Sequence, residues 1–296
     1  MGKATRIRQQ NAREKIAAQR AAERRAEQRR RLFITGGSVL GVIVIVVAFI
    51  LVKSMNSQPT TPASTARTPL PSSVTNNITG VPASALASVG KGSVLTWNPA
   101  PITKVTGPPL TSNGKPEMLY IGAEYCPYCA ATRWSMAVAL SRFGTLSTPL
   151  HGIHSSSSDV YPNTATLTFY KTGYNSKYLV FTPVENETVN RSPLQSPTVQ
   201  QNQVWARYEP DPTQRGYPFI SFGNKYVLKL PIYDPAVLKG LTWSQIAADL
   251  HNPSSPVAQG VLGGANFMTA AICKMTNNQP ASICTAPAVK AAAGGL

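Results

Sequence analysis

The feature that most constrains this chain is a run of 21 residues without a charged side chain, from Leu32 to Val52. At about 1.5 Å of rise per residue, a helix of this length spans about 31 Å, which matches the hydrocarbon layer of a bilayer. A helix buried in a soluble domain would carry a polar stripe, and this run has none. A cleaved signal peptide is the alternative, but its apolar region usually has about 7–15 residues and ends at a small-residue cleavage site, which this run lacks. We therefore predict a single transmembrane helix over residues 32–52.

The charges on either side of this run predict its orientation. Five arginines lie between residues 24 and 31, whereas Lys53 stands alone on the other side. Because the positively charged flank stays in the cytoplasm, we expect a single-pass protein of the cell membrane, with residues 1–31 inside and residues 53–296 outside.

The N-terminal segment is strongly basic. Residues 1–31 contain 11 Lys and Arg against 3 Asp and Glu, so they carry +8 of the chain's formal net charge of +16. A basic segment can bind nucleic acid. Beside a transmembrane helix, however, the same charge sets topology and lies next to anionic lipid. We expect membrane lipid as a partner and no nucleic acid.

Composition divides the exterior part in two. Residues 53–90 are rich in Pro, Ser, Thr, Asn and Ala and have few large apolar side chains. Such a segment buries too little surface to offset the entropy of ordering, so we predict a flexible linker there. From residue 91 onward the chain becomes foldable, and we place one extracytoplasmic domain at residues 91–296.

The main chemical feature of that domain is the motif Cys-Pro-Tyr-Cys at residues 126–129. The apolar run Met118–Ile121 before it is typical of a buried strand. Pro127 suits the first position of a helix. The pattern therefore places Cys126 at the tip of a helix and Cys129 on the face turned toward the core.

Three kinds of site contain such a cysteine pair: a metal site, a structural disulfide and a redox-active dithiol. A zinc site needs two further ligands, but Cys273 and Cys284 are 11 residues apart, and His151 and His154 lie in a polar loop. We predict no metal and no cofactor. The strand–motif–helix placement favours the dithiol, because a helix start lowers the pKa of a thiol. We interpret Cys273 and Cys284 as a structural disulfide; the alternative is a second dithiol that relays electrons.

The remaining pattern predicts further strands and helices. These are a strand at residues 93–97, strands at 165–170 and 178–181, an ambiguous polar stretch at 193–206 that is compatible with a helix, a hairpin over 216–228, a helix from Thr242 to Leu250, a helix from Ser255 to about Lys274 and a frayed tail after Cys284.

The chain resembles the thioredoxin superfamily in the order of its elements. This order is a strand, Cys-Pro-Tyr-Cys, a helix, a long insertion, Tyr-Pro, a hairpin and a helix. Gly216–Ile220 is similar to the cis-proline loop of that superfamily, and the Pro-Tyr dipeptide resembles glutaredoxins. The stretch Tyr120–Cys129, with the anchor and linker before it, also resembles the prokaryotic family called domain of unknown function 929. The resemblance implies an α/β, thioredoxin-like fold preceded by a single transmembrane helix. The 88 residues between Cys129 and Pro218 imply a long insertion between the motif helix and the cis-proline strand.

The chain departs from these families in two places. The Gly-Gly-Asp glutathione signature of glutaredoxins is absent after the cis-proline strand, where Phe222–Lys225 stands instead. The buried acid of thioredoxins has no clear match, and Tyr120 lies near its place. We therefore do not expect the use of glutathione.

These residues predict roles in disulfide exchange. We expect Cys126 to attack, because amide N–H groups at a helix start favour a thiolate, and Cys129 to resolve the mixed disulfide. Pro218 should lie against the pair. The neighbours of the pair are predicted to be Glu124, Tyr125, Pro127, Tyr128, Arg133 and Tyr217, the last offering its backbone to an extended substrate. The carboxylate of Glu124 would raise the pKa of Cys126, and the charge of Arg133 would lower it.

The sequence thus predicts a membrane-anchored extracytoplasmic thiol–disulfide oxidoreductase. Its expected partners are protein thiols and disulfides outside the cytoplasm, and a redox protein in the membrane is a further candidate. Oxidation, isomerisation and reduction all stay open, because direction depends on differences of tens of millivolts. The alternative is a non-catalytic binding or scaffold protein on a thioredoxin-like frame, with a permanent disulfide between Cys126 and Cys129.

Overall fold

The computed structural model describes residues 66–296. The basic segment predicted at residues 1–31 and the transmembrane helix predicted at residues 32–52 lie outside the described residues. Within residues 66–296, no helix combines the length and the apolar character that crossing a membrane requires.

The described part is a mixed α/β structure, as predicted. Its helices are α1 Ser72–Thr79, α2 Ala83–Val89, α3 Val94–Trp97, α4 Pro127–Ser141, α5 Val199–Tyr208, α6 Trp243–Asp249, α7 Pro256–Met275, α8 Ala281–Cys284 and α9 Pro287–Ala293, with a short 3-10 helix at Pro235–Leu238. Its strands are β1 Thr68–Pro69, β2 Thr103–Lys104, β3 Thr111–Ser112, β4 Lys115–Gly122, β5 Gly144–Leu146, β6 His151–His154, β7 Ala165–Thr168, β8 Tyr174–Ser176, β9 Val180–Glu185, β10 Phe219–Phe222 and β11 Tyr226–Leu228.

Strand β4 is the centre of the main sheet. It pairs in parallel with β9, from Glu117 opposite Val180 to Gly122 opposite Glu185, and antiparallel with β10. β10 returns into β11, which confirms the predicted hairpin, and β2 pairs with the outer edge of β11. The strand order is therefore β9–β4–β10–β11–β2, with β3 paired to the start of β4.

Helices cover both faces of this sheet. Successive residues of a strand point to opposite faces. Met118 and Tyr120 of β4 therefore pack into the larger core together with α4 and α7, whereas Leu119 and Ile121 pack into a smaller core that contains Trp205 of α5. The end of β4 is fixed from both sides, and the motif follows it directly.

The long interval between α4 and β10 is folded. It contains a two-stranded sheet of β5 and β8, the strands β6 and β7 that form a second sheet with β1, then β9 and finally α5. The polar stretch near residues 193–206 is thus partly helical, because Thr198 and Gln201 form a capping box that starts α5.

The structure corrects the predicted flexible linker. Residues 53–65 lie outside the described residues, but residues 66–90 form β1, α1 and α2. Val74, Ile78 and Leu86 of these helices are buried in the larger core. The low apolar content of this segment predicted a linker, but composition does not record the spacing of the apolar residues. Because these few residues recur at helical spacing, they form one apolar face, which is enough to pack a short helix against the core.

The strand predicted at residues 93–97 is also wrong, since this segment is helix α3. A strand needs a neighbouring strand to satisfy its backbone, and this segment instead adjoins α7, where the N–H of Ser93 donates to the carbonyl of Gln259 at 3.1 Å. Val94 is fully buried there.

The predicted frayed tail is ordered. After α7 the chain forms α8 and α9, and Val289 and Ala292 of α9 are buried against the larger core. The alanine-rich composition that suggested fraying also has a high intrinsic helix propensity, and the packing against α7 turns that propensity into a helix.

Candidate active site

Cys126 is the N-cap residue of helix α4. Its backbone is extended, with φ −72° and ψ 119°, and Pro127 occupies the first helical position as predicted. The Sγ atom of Cys126 accepts a hydrogen bond from the backbone N–H of Cys129 at 3.2 Å, which is the role that an oxygen of Ser, Thr or Asp usually has at an N-cap. The sulfur therefore lies at the positive end of the helix dipole, where a thiolate is stabilised.

The two sulfurs differ in their access to solvent. Both cysteines are free thiols. Cys126 is 5% exposed and Cys129 is 0% exposed, one turn further along α4. A molecule that approaches from solvent can therefore reach the sulfur of Cys126 before that of Cys129.

Tyr217 and Pro218 form the wall opposite the motif. The peptide bond between them is cis, as predicted, and strand β10 begins at the next residue. The Sγ atom of Cys126 lies 3.6 Å from the carbonyl oxygen of Tyr217. Because Phe219 of β10 pairs with Ile121 of β4, the same sheet holds both walls of the site.

The environment shifts the pKa values of the two thiols in opposite directions. Burial alone would raise the pKa of Cys126, but hydrogen bonds from the thiol and the amide of Cys129, together with the charge of Arg133, lower it below its ordinary value. Burial raises the pKa of Cys129 well above its ordinary value, and its hydrogen bond to Cys126 and the charge on Cys126 add to the rise. Cys126 is thus the more acidic thiol of the pair and Cys129 the less acidic one.

A buried ion pair lies beneath the dithiol. The guanidinium of Arg133 donates to both carboxylate oxygens of Glu185, at 2.9 and 2.6 Å, and to the carbonyl oxygen of Ala123 at 2.7 Å. Both side chains are fully buried. Pairing of this kind is what makes two charges tolerable in a protein interior. The positive charge of Arg133 contributes to the lowered pKa of Cys126, as the sequence predicted, and opposes the rise in the pKa of Cys129.

Glu124 is held by a second ion pair. Its two carboxylate oxygens accept from Arg67 at 2.8 and 2.9 Å, and one of them also accepts from the hydroxyl of Thr168 at 2.8 Å. Arg67 stacks on the ring of Tyr170 at 4.4 Å. The sequence predicted that the charge of Glu124 would raise the pKa of Cys126. In the structure, the charge of Arg67 compensates that of Glu124 and therefore opposes this effect.

Tyr125, Tyr128 and Tyr217 pack against the cluster of Ala123, Cys126 and Cys129. Together with Tyr161, which packs against Tyr128, we call them the tyrosine collar. Tyr125 packs edge-on against Tyr217, and Tyr128 against Tyr161. Arg191 lies 3.7 Å above the ring of Tyr125. Burial raises the pKa of Tyr217 to about 12, so its hydroxyl is neutral at physiological pH.

The second cysteine pair forms a disulfide. Cys273 at the end of α7 is bonded to Cys284 at the end of α8, which is the predicted pairing. Of the two histidines considered as metal ligands, His154 packs against the ring of Trp243 at 4.6 Å. In the part of the chain that the structure describes, no cluster of three or more His, Cys, Asp or Glu side chains could hold a metal ion.

The structure packs Tyr125, Tyr128 and Tyr217 against the cysteine pair, and the charge of Arg133 acts on both thiols. Pro127 begins α4 within the motif, whereas the side chain of Glu124 contacts Arg67 and Thr168.

Four further residues near the site were not predicted from the sequence. These four are Arg67, Tyr161, Glu185 and Arg191. Arg67 lay in the predicted linker. One signal could have indicated Glu185 as a site residue, because it is a charged residue at the end of the mainly apolar strand β9. This strand pairs with β4, which leads to the motif.

Comparison with known proteins identifies a family. The sequence model of the family described as "Domain of unknown function (DUF929)" matches residues 101–274, which is more than half of the chain and includes the motif and the cis-proline. No curated protein and no solved structure matches the chain. The chain belongs to the DUF929 family.

Proposed function

We propose that this protein is a membrane-anchored, extracytoplasmic thiol–disulfide oxidoreductase that exchanges disulfides with protein substrates through Cys126 and Cys129. The observation that carries the proposal is the asymmetry of the pair. The sulfur of Cys126 caps a helix, is the more accessible of the two and has a lowered pKa, whereas that of Cys129 is fully buried and has a raised pKa. Disulfide exchange requires one thiol that attacks as a thiolate and a second thiol that resolves the mixed disulfide, and the two cysteines suit these two roles.

The topology supports a thioredoxin-like frame for this chemistry. The strand order β9–β4–β10–β11, with α4 and α7 on one face and α5 on the other, agrees with the frame that the sequence resemblance implied. The motif follows the central strand and Pro218 precedes the adjacent one. The long insertion then supplies Glu185, Tyr161 and Arg191 to the surroundings of the site.

The proposed reaction has two steps. The thiolate of Cys126 attacks one sulfur of the substrate disulfide; a bond from Cys126 to that sulfur forms, the substrate S–S bond breaks, and the other substrate sulfur leaves as a thiolate and takes up a proton. Cys129 then loses its proton and attacks Cys126. This step closes the Cys126–Cys129 disulfide and releases the second substrate thiolate, so that two electrons have passed to the substrate. The reverse sequence oxidises a substrate dithiol.

The charge on Cys126 explains why Cys129 attacks only after the mixed disulfide has formed. The negative charge on Cys126 is one of the causes that raise the pKa of Cys129. When Cys126 enters a mixed disulfide, that charge disappears, while the charge of Arg133 remains. The pKa of Cys129 therefore falls at the stage when its thiolate is needed.

The proposed location agrees with the second cysteine pair. The uncharged run at residues 32–52 provides the anchor, and the arginines before it keep the N-terminus in the cytoplasm. Structural disulfides such as Cys273–Cys284 persist in oxidising compartments outside the cytoplasm.

Trapping of mixed disulfides tests the proposal. The full-length Cys129→Ala variant lacks the resolving thiol, so substrates should remain bound to Cys126 in complexes that dissociate on reduction. The Cys126→Ala variant is the matched control and should trap nothing. If Cys129→Ala captures no protein and the wild-type Cys126–Cys129 disulfide resists mild reductants, the chain is a scaffold with a permanent disulfide and the proposal is wrong. The reduction potential of the pair then gives the direction of electron flow.

A further inference from the structure

A cavity of about 270 Å³ opens on the face of the sheet that carries α5. Its floor is apolar and its rim is polar: Leu110, Leu119 and Val204 form the floor, and Thr111, Ser112, Thr182, Thr198, Gln200 and Gln201 form the rim. Glu117 completes the lining. Glu117 lies five residues before the end of β4, about 17 Å along a strand, so this cavity is separate from the dithiol.

Glu117 is the unusual member of this lining. It is only 9% exposed, yet its carboxylate has no hydrogen-bond or ion-pair partner within residues 66–296. The two other buried glutamates near β4, Glu124 and Glu185, are each bound by an arginine. The carboxylate oxygens of Glu117 are not sealed in the interior but border the cavity, where a bound cation would pair with them away from most of the bulk water. The cavity is the space from which a counter-charge can reach Glu117.

The neighbouring oxygens define the kind of counter-charge. The hydroxyls of Thr111, Ser112 and Thr182 form no hydrogen bond with other described residues, so their oxygens are available as acceptors. The hydroxyl of Thr198 and the side-chain oxygen of Gln201 are already used in the capping box of α5. A primary ammonium group has three N–H donors and a single charge. One donor can bind the carboxylate and two can bind hydroxyl oxygens, while an attached methylene chain contacts the apolar floor.

We propose that this cavity binds a primary ammonium group carried on a short aliphatic chain. A lysine side chain of another polypeptide and a free alkylamine share this chemistry. Two rival roles make different predictions. Glu117 could serve only as a counter-charge to the N-terminus of α5, which is at the rim, or the oxygens could hold a divalent cation such as Ca²⁺.

Ligand-detected saturation-transfer NMR on the full-length protein in detergent micelles tests the proposal. The probes are n-butylamine, Nα-acetyl-lysine methylamide and the neutral analogue n-butanol. We expect saturable transfer to n-butylamine and weaker or no transfer to n-butanol. Binding of Nα-acetyl-lysine methylamide as well assigns the site to lysine side chains, and binding of n-butylamine alone assigns it to free amines; both outcomes support the ammonium site.

Two variants complete the test. Glu117→Gln keeps the side-chain volume and removes the charge, and it should weaken amine binding by about tenfold or more. Asp249→Asn removes one negative charge elsewhere and should leave binding unchanged. The proposal is overturned if no amine binds, if Glu117→Gln binds the amine as well as the wild type does, or if Ca²⁺ binds more tightly than the amine and displaces it. A Glu117→Gln variant with altered thermal stability in a protein that binds no amine would identify the counter-charge role instead.

Discussion

The backbone N–H of Cys129 points at the Sγ atom of Cys126 from 3.2 Å. The second cysteine of the motif thus completes the N-cap that the first one provides. Together the hydrogen bonds from Cys129 and the charge of Arg133 outweigh the burial of Cys126 and lower its pKa. The difference between the two thiols arises from the helix start, which stabilises the thiolate of Cys126, and from the deeper burial of Cys129.

The first prediction concerns the pH dependence of thiol reactivity. Only the thiolate is alkylated, so the rate of Cys126 modification by iodoacetamide should rise as pH rises through its pKa. Because that pKa is lowered, the midpoint should lie below the ordinary thiol value of 9.0. Cys129 should stay unmodified over this range, since burial raises its pKa. Peptide mass spectrometry of the reduced protein locates the label. A midpoint at or above the ordinary value, or earlier labelling of Cys129, would contradict the assignment.

The second prediction separates the two effects of Arg133. Arg133→Met leaves the buried carboxylate of Glu185 without a partner, and breaking such a pair should cost about 3–5 kcal/mol of unfolding free energy. Replacing both residues, in Arg133→Met/Glu185→Leu, should recover part of this loss, because apolar side chains replace the pair while the N–H of Phe169 and the carbonyl of Ala123 lose their side-chain partners. Urea denaturation measures the free energy of unfolding.

The same double variant tests the electrostatic role of Arg133. This variant has no unpaired buried charge and no cation beneath the dithiol, so the alkylation midpoint of Cys126 should move upward relative to the wild type. A stable double variant with an unchanged midpoint would show that Arg133 supports the fold alone.

The sequence predicted correctly those helices, strands and turns that are specified by residues close together in the chain. The strand that leads to the motif, the helix that begins at Pro127 and the capping box at Thr242 are all present. The hairpin is present too, and Gly223 and Asn224 have the positive φ values, 63° and 57°, that its turn requires. In each case the residues that specify the element are neighbours in the chain, so the pattern can be recognised without knowledge of the fold.

Contacts between distant segments were not predictable in this way. Arg67 reaches Glu124 across 57 positions, and Arg133 reaches Glu185 across 52. Nothing near Arg67 or Glu185 in the chain indicates its partner, because the pairing depends on which strands adjoin β4. The helices at residues 66–90 were missed for a related reason: the apolar surface that holds them belongs to α4, α6 and α7 rather than to their own sequence.

The third prediction concerns the disulfide Cys273–Cys284. In the chain-entropy model, a crosslink that spans 11 positions contributes about 3 kcal/mol, so Cys273→Ala/Cys284→Ala should lose that much unfolding free energy. If this disulfide is purely structural, the variant should still trap substrates when combined with Cys129→Ala. If instead the pair relays electrons, the folded variant should no longer exchange electrons with the Cys126–Cys129 pair. Denaturation and trapping on the same preparation distinguish the two roles.

The fourth prediction concerns the attachment of the N-terminal segment to the motif. Arg67→Gln removes the counter-charge of Glu124, which lies two residues before Cys126. The loss of unfolding free energy should be about 2 kcal/mol, less than for a fully buried pair because the Arg67 side chain is 28% exposed. The uncompensated carboxylate should also raise the pKa of Cys126, and the alkylation midpoint reports this rise.

A second substitution and an exposed ion pair provide the controls for this prediction. Arg67→Gln/Glu124→Gln removes both charges and should return the midpoint toward that of the wild type. Asp159→Asn breaks the exposed pair with Arg191 and should cost under about 1 kcal/mol. If Arg67→Gln changes neither stability nor the midpoint, the contact between Arg67 and Glu124 has no energetic role at the site. If the midpoint rises in the single variant and returns in the double variant, Arg67 at the start of the folded structure controls the acidity of the Cys126 thiol through the charge on Glu124.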